Sequence, residues 1–395
     1  MEDKKPLDQG SKYLNEIGFT PFYDKKGLKP HWKEIFGEKE ARRLDSARKK
    51  IEEGSPEFYD FKNSNPELSK SYSEFYDGEI LRNACNYVYE HQQYFGKTIL
   101  EVGCDTGIMS CFLAKTFPEA TIVSIDRNPG GIALAKDQAE KLGIGNIEFI
   151  NCSLNDLDEK FDTVFSMRTM HENDDGDYPD IYAPFSKQCM GYAKIIHDYA
   201  KQLSFHIQDN GFLCSFERIE HNALLYSWFI ELNSCGCGVL KDTYTEFECK
   251  EANSKGIFQA FVCQNEKRID PEEIYQLLLD PLKSGQTSDN VIQGFYGLAY
   301  LDKHAGKLIH GKRFFDGSGL AARFAVFTDR DDKNRLLFLH AGGDQGFYVQ
   351  IANINDKDTL LETIQHHVDI AEYFGLRIEE IDPQDENLEG VMNKK

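Results

Sequence analysis

The chain has 395 residues, 41% apolar and 12% aromatic, which is enough to bury a core and more than a disordered chain carries. Its formal charge of −21 disfavours nucleic acid as a partner, because such binding rests on neutralising phosphates. No apolar run is long enough to span a membrane, the N-terminus lacks the apolar segment of a signal peptide, and ten scattered cysteines suit reduced thiols in a cytoplasmic protein.

Residues 1 to about 70 are polar, with a helix expected over 38–53. Phe58, Tyr59 and Phe61, then Tyr72, Phe75 and Tyr76, favour packing onto something. A helix near 77–95 leads into an alternation of short apolar strands and helices. Strands are expected at 98–103, 121–126, 147–150, 161–166 and 211–216, and helices at 108–117, 130–142, 185–208 and 222–234. Strands near 243–249 and 256–263 close this part. From Arg268 the pattern changes: helices at 271–279 and 289–300, strand-like runs at 308–315, 321–328, 335–340 and 347–352 joined by turns at 329–334 and 342–346, and a helix at 357–374. Cys235-Gly-Cys237 has no second pair or histidine at ligand spacing, so no metal is expected there.

The most informative stretch is Thr98-Ile-Leu-Glu-Val-Gly-Cys-Asp-Thr-Gly107, followed by Thr121-Ile-Val-Ser-Ile-Asp126. A strand, a glycine turn, a helix and a second strand ending in an acid form a nucleoside-binding unit. The glycines admit a ligand to the backbone, and the acid can take two ribose hydroxyls. Glu101-x-Gly103-x-Asp105-x-Gly107 is not the Gly-x-Gly-x-x-Gly of dinucleotide sites. Its acids would repel a pyrophosphate and suit a ligand with positive charge.

On these residues the chain resembles the class I S-adenosylmethionine-dependent methyltransferases, whose first motif runs [Asp/Glu]-x-Gly-x-Gly-x-Gly. The resemblance covers roughly 75–266. It implies a Rossmann-like, mostly parallel sheet with helices on both faces, here with an N-terminal helical extension and a C-terminal α+β domain. The expected division is 1–74 as cap, 75–266 as the methyltransferase domain and 267–395 as an accessory domain. Glu101 would lie near the methionine ammonium, Gly103 and Gly107 under the methionine part, and Asp126 at the ribose diol. Arg127 follows where the family packs a side chain on adenine, and Ser153 stands where an acid often accepts the adenine amino group. Cys104, Asp105, Leu154 and Met167 complete the expected cofactor-binding set. Asp105 replaces the usual middle glycine, and Asp tolerates a left-handed backbone better than most residues.

Strand 161–166 delivers Met167-Arg-Thr-Met-His-Glu172 to the ligand edge. His171 is the candidate base, with Glu172 as a partner that orients it. Arg168 could pair with a substrate carboxylate or with neighbouring acids. Glu172, Asp174, Asp175 and Asp177 could hold a cation, but consecutive acids read more simply as a solvated loop, and no metal is expected. The implied activity is methyl transfer from S-adenosyl-L-methionine to an oxygen or nitrogen of a small molecule or protein side chain. The alternative is a non-catalytic cofactor-binding adaptor. The C-terminal domain is open to homodimerisation.

Overall fold

Ser55-Pro56 and Asn65-Pro66 each start a helix by the same device. The Ser55 hydroxyl accepts from the Phe58 amide, the Asn65 side chain accepts from the Glu67 and Leu68 amides, and proline occupies the first helical position. In the computed structural model the helices of this region are α1 (Gln9–Glu16), α2 (Leu28–Phe36), α3 (Glu38–Arg48), α4 (Pro56–Lys62), α5 (Pro66–Tyr76) and α6 (Gly78–Glu90). The structure describes residues 8–23, 26–52, 54–173, 176, 178–179, 185–219, 221–252, 254–279, 287–288, 290–317, 319–342 and 347–381.

The chain divides into two compact units. One comprises residues 1–175, 196–220 and 231–269, the other 176–195, 221–230 and 270–395. The division falls within α9 (Phe185–Phe205) and α10 (Asn222–Ser234).

In the first unit β1 (Thr98–Val102), α7 (Ile108–Thr116), β2 (Thr121–Asp126), α8 (Pro129–Lys141), β3 (Ile147–Asn151), β4 (Phe161–Met167) and β5 (Ile207–Glu217) follow in chain order. They are succeeded by β6 (Cys237–Val239), β7 (Thr245–Glu251) and β8 (Ser254–Asn265). Among the described residues these form an eight-stranded sheet of order β3-β2-β1-β4-β5-β8-β6, with β7 paired to β8. The neighbours from β3 to β5 are parallel, and β8 runs antiparallel to β5, β6 and β7. The order reverses between β1 and β4. That is the switch point where the loops after adjacent strands leave a crevice for a ligand. The core beneath is built from Ile80, Ala84, Val88, Ile99, Leu113, Ile122, Phe165 and Val262, all at most 1% exposed. In α6 the buried positions 80, 81, 84, 85, 87 and 88 recur at helical spacing. A separate cluster of Trp32, Ala41, Leu44, Phe58, Leu68, Tyr72 and Phe75 holds α2 to α5 together. Trp32 donates to the Ser71 hydroxyl at 2.8 Å.

The second unit contains α11 (Pro271–Leu279), β9 (Thr287–Ser288), β10 (Val291–Gln293), α12 (Gly294–His304), β11 (Ala305–Asp316), β12 (Gly319–Asp329), β13 (Arg335–Gly342), β14 (Phe347–Asn353), α13 (Lys357–Tyr373) and β15 (Arg377–Glu380). Its sheet order is β15-β11-β12-β13-β14-β10-β9. Leu360, Ile364 and Val368 of α13 pack on Phe314, Phe324, Val326 and Phe338. The helix expected over 289–300 starts later. Val291 and Ile292 are β-branched and pair with β14, and the helix starts at Gly294, whose φ is +59.

No helix among the described residues is long and apolar enough to cross a membrane. The ten cysteines are all free thiols.

Candidate functional site

The turn between β1 and α7 is left-handed at three positions: Gly103 (φ +73), Asp105 (φ +45) and Gly107 (φ +75). Glycine is needed twice for space as well as torsion. A Cβ on Gly103 would lie 2.5 Å from the Thr169 methyl, and one on Gly107 would lie 2.7 Å from the Ala135 Cβ. Gly103→Ala is expected to cost about 1–2 kcal/mol from the torsion alone, with Thr169 displaced in addition, as read by urea unfolding.

Glu101 is 3% exposed, and its Oε2 accepts from the hydroxyls of Ser110 and, at 2.9 Å, Ser124. Burial pushes its carboxyl up to about 7, against the lowering effect of the two hydroxyls. Asp126, at the end of β2, is raised by burial as well. Its Oδ2 accepts from the Asp105 amide at 2.8 Å and its Oδ1 from the Asn128 amide at 2.7 Å. Each oxygen keeps an open lone pair, so a diol remains within its capacity.

Asp105 is held from outside the turn. Its carboxylate bonds Lys62 of α4 and accepts from Asn63 Nδ2 at 2.9 Å. Burial raises this carboxyl, but the Lys62 charge and these bonds outweigh it and hold it below the usual range. Asn63 also donates to Asn128 Oδ1 at 3.0 Å, and Asn128 donates to Asp60 at 2.8 Å. The expectation that Asp105 repels anions is therefore weakened, since Lys62 neutralises it.

These groups open on one cavity of about 500 Å³. Of the residues singled out from sequence, Glu101, Gly103, Cys104, Asp105, Asp126, Met167, Arg168, His171 and Glu172 line it, with the aromatics Phe58, Tyr59, Tyr72 and Tyr76. Gly107 is not in the lining and packs closely on Ala135. Arg127 is exposed, and its guanidinium donates to the Glu172 carbonyl at 3.4 Å. The Ser153 hydroxyl and amide both donate to Asp156, and Leu154 is buried. Arg127, Ser153 and Leu154 are not part of the lining. Among the suggested cation ligands only Glu172 is in the cavity wall, and Asp174, Asp175 and Asp177 lie outside the described residues. In the second unit His304, Asp329 and Asp331 bring ligand atoms within 4.8 Å of one another, but His304 is hydrogen-bonded directly to Asp331 at 2.5 Å.

Lys62, Asp77, Arg218, Glu251 and Ser254 of the lining were not singled out from sequence. Phe58, Tyr59, Lys62, Tyr72, Tyr76 and Asp77 come from α4 to the start of α6, and Arg218, Glu251 and Ser254 from the far edge of the sheet. Arg168, at φ +57, donates to Asp77 at 2.5 Å and lies 4.0 Å from Glu251, so it pairs with acids remote from its own loop. Beneath that loop sits Glu217, fully buried. It accepts from the Ser166 hydroxyl at 3.0 Å and the Thr169 and Met170 amides at 3.4 Å. Burial pushes its carboxyl up to about 7. The sequence carried one signal for α4 and α5, the Ser-Pro and Asn-Pro helix starts; it carried none for Glu217.

Residues 93–238 match the family model described as a methyltransferase domain. The fatty-acid O-methyltransferase of Mycolicibacterium smegmatis is 35% identical over 19% of this chain and 28% of its own length. The malonyl-[acyl-carrier protein] O-methyltransferase of Acetivibrio thermocellus is 37% identical over 18% and 25% respectively. The chain thus spans less than a third of either relative. Other relatives carry the names of release factor glutamine and ribosomal RNA small subunit methyltransferases. Among solved structures, the N-methyltransferase NodS of Bradyrhizobium japonicum with S-adenosyl-L-homocysteine is 12% identical with a TM-score of 0.40, covering 53% of this chain and 98% of that one.

Proposed function

We propose that the chain is an S-adenosylmethionine-dependent methyltransferase acting on an oxygen or nitrogen of a small molecule or protein side chain. The observation that carries this reading is the pairing of Glu101 and Asp126 at the ends of two adjacent parallel strands, over a turn made left-handed by Gly103 and Gly107 and open to one cavity. The residues present fit this cofactor. Asp126 has lone pairs left for a ribose diol, and buried Glu101 gains from a cationic neighbour that restores its ionised form. When bound, the cofactor supplies an electrophilic methyl group on a sulfonium.

The chain's own residues align and deprotonate the acceptor. Glu217 fixes the loop after β4, which carries Arg168, His171 and Glu172 to the cavity. His171 stands 4.0 Å from Glu172 and is 42% exposed at its side chain, which suits passing a proton to solvent. Residues 1–74 serve as the cap, 75–266 as the methyltransferase domain and 267–395 as the accessory domain.

Calorimetric titration with S-adenosylmethionine and S-adenosylhomocysteine tests the reading: absence of heat from either, with a folded protein, would sink it. Asp126→Ala is expected to weaken both ligands by about 1–3 kcal/mol. Wild-type affinity in that variant would remove the ribose assignment.

A further inference from the structure

Glu101 and Asp126, which line the cavity with only hydroxyl and amide donors, are assigned to the cofactor above, and the remaining charged pairs of the wall leave one acid over. Lys62 meets Asp105, Arg168 meets Asp77 at 2.5 Å, and Arg218 Nε meets Glu251 at 3.0 Å. Glu172 has no lysine or arginine nitrogen within 4.0 Å of its carboxylate among the described residues. Its contacts are the Tyr59 hydroxyl, which donates to it, and His171 at 4.0 Å. The rings of Phe58, Tyr59, Tyr72 and Tyr76 line the same cavity. A carboxylate oriented by a tyrosine hydroxyl, with aromatic rings nearby, complements an organic cation better than an anion.

We infer that the methyl acceptor is an amine that enters as an ammonium ion and seats its charge against Glu172 and the ring of Tyr59. This rests on the methyltransferase reading above and narrows its acceptor to nitrogen. The ammonium gives one proton to the Glu172 carboxylate, which frees the nitrogen lone pair. A nitrogen–carbon bond to the methyl group then forms as the carbon–sulfur bond breaks, and its electron pair stays on sulfur. The donor leaves as a neutral thioether and the positive charge passes to the methylated nitrogen. Glu172 releases its proton to solvent, with His171 at hand to relay it. Burial raises the Glu172 carboxyl, which makes it a better proton acceptor than a solvated acid.

The test uses the full chain saturated with S-adenosylhomocysteine, so that binding is read without turnover. Two matched pairs are titrated by calorimetry: phenethylamine with 3-phenylpropionate, and butylamine with butyrate. At least one amine is expected to bind, its carboxylate partner to bind more weakly, and Glu172→Gln to weaken the amine about tenfold or more. The same variant is expected to keep its affinity for S-adenosylhomocysteine, which also reports that it is folded. Tighter binding of the carboxylates, an amine affinity unchanged in Glu172→Gln, or no amine bound at about 10 mM would each overturn the inference. Failure of S-adenosylhomocysteine itself to bind the wild-type chain would instead overturn the methyltransferase reading.

Discussion

Replacing Lys62 by Met is expected to lower the unfolding free energy by about 2–3 kcal/mol, and adding Asp105→Gly to recover most of that loss. Lys62 is 7% exposed, and burial alone would depress its ammonium. The charges of Asp105 and Asp77 reverse this and raise it instead. Without the lysine, Asp105 would keep a carboxylate in a backbone conformation that already favours glycine, with only Asn63 to hold it. Removing one partner of a fully buried pair costs about 3–5 kcal/mol; the Asp105 side chain is 31% exposed, so solvent reduces the figure. Asp105→Gly removes the orphaned charge and relaxes the φ of +45 together. Urea unfolding of the two single variants and the double variant gives the coupling directly. Additive costs would show that the two residues act independently.

Glu101→Gln is expected to flatten part of the pH dependence of stability. Burial raises the Glu101 carboxyl from 4.5 to about 7, so between those values the native state holds a proton that the unfolded chain has released. Stability contributed by this group is therefore present at low pH and lost as pH rises through that window, by up to about 3 kcal/mol. Glutamine titrates nowhere in the range. The stability of wild type minus that of Glu101→Gln should fall by about 3 kcal/mol between pH 4.5 and 7.5 in ligand-free protein. Glu217 carries the same sign, but it is common to both proteins and cancels. A difference constant with pH would show that Glu101 is ionised throughout.

What could be read from the sequence follows from the range of the forces involved. Strands β1 and β4 were legible because each is a short apolar run in which most residues are buried, and Asp126 was legible because a lone acid ends the apolar run of β2. The turn was legible through its glycines. The partner of Asp105 was not, because Lys62 lies 43 residues earlier on a helix whose sequence shows only ordinary surface charge. Arg168 was noticed, but its acids were sought nearby, whereas Asp77 is 91 residues away. Glu217 looks like any acid ending a strand; only the packing of the loop above it gives it three donors and buries it fully. Ser153 was aligned by position, and the structure shows its hydroxyl committed to Asp156.

The cavity wall begins at Gly54 and is completed by Ser254, and the Ala252 amide donates to the Phe75 carbonyl at 3.0 Å. During synthesis, helices α4 and α5 therefore leave the ribosome long before β7 and β8, which complete that wall. The wall is complete only some two hundred residues later. Contacts this distant along the chain are slow to form, because their loop-closure entropy is met before any burial offsets it. Until then the N-terminal helices can bury apolar surface only in the aromatic cluster around Trp32 and Tyr72.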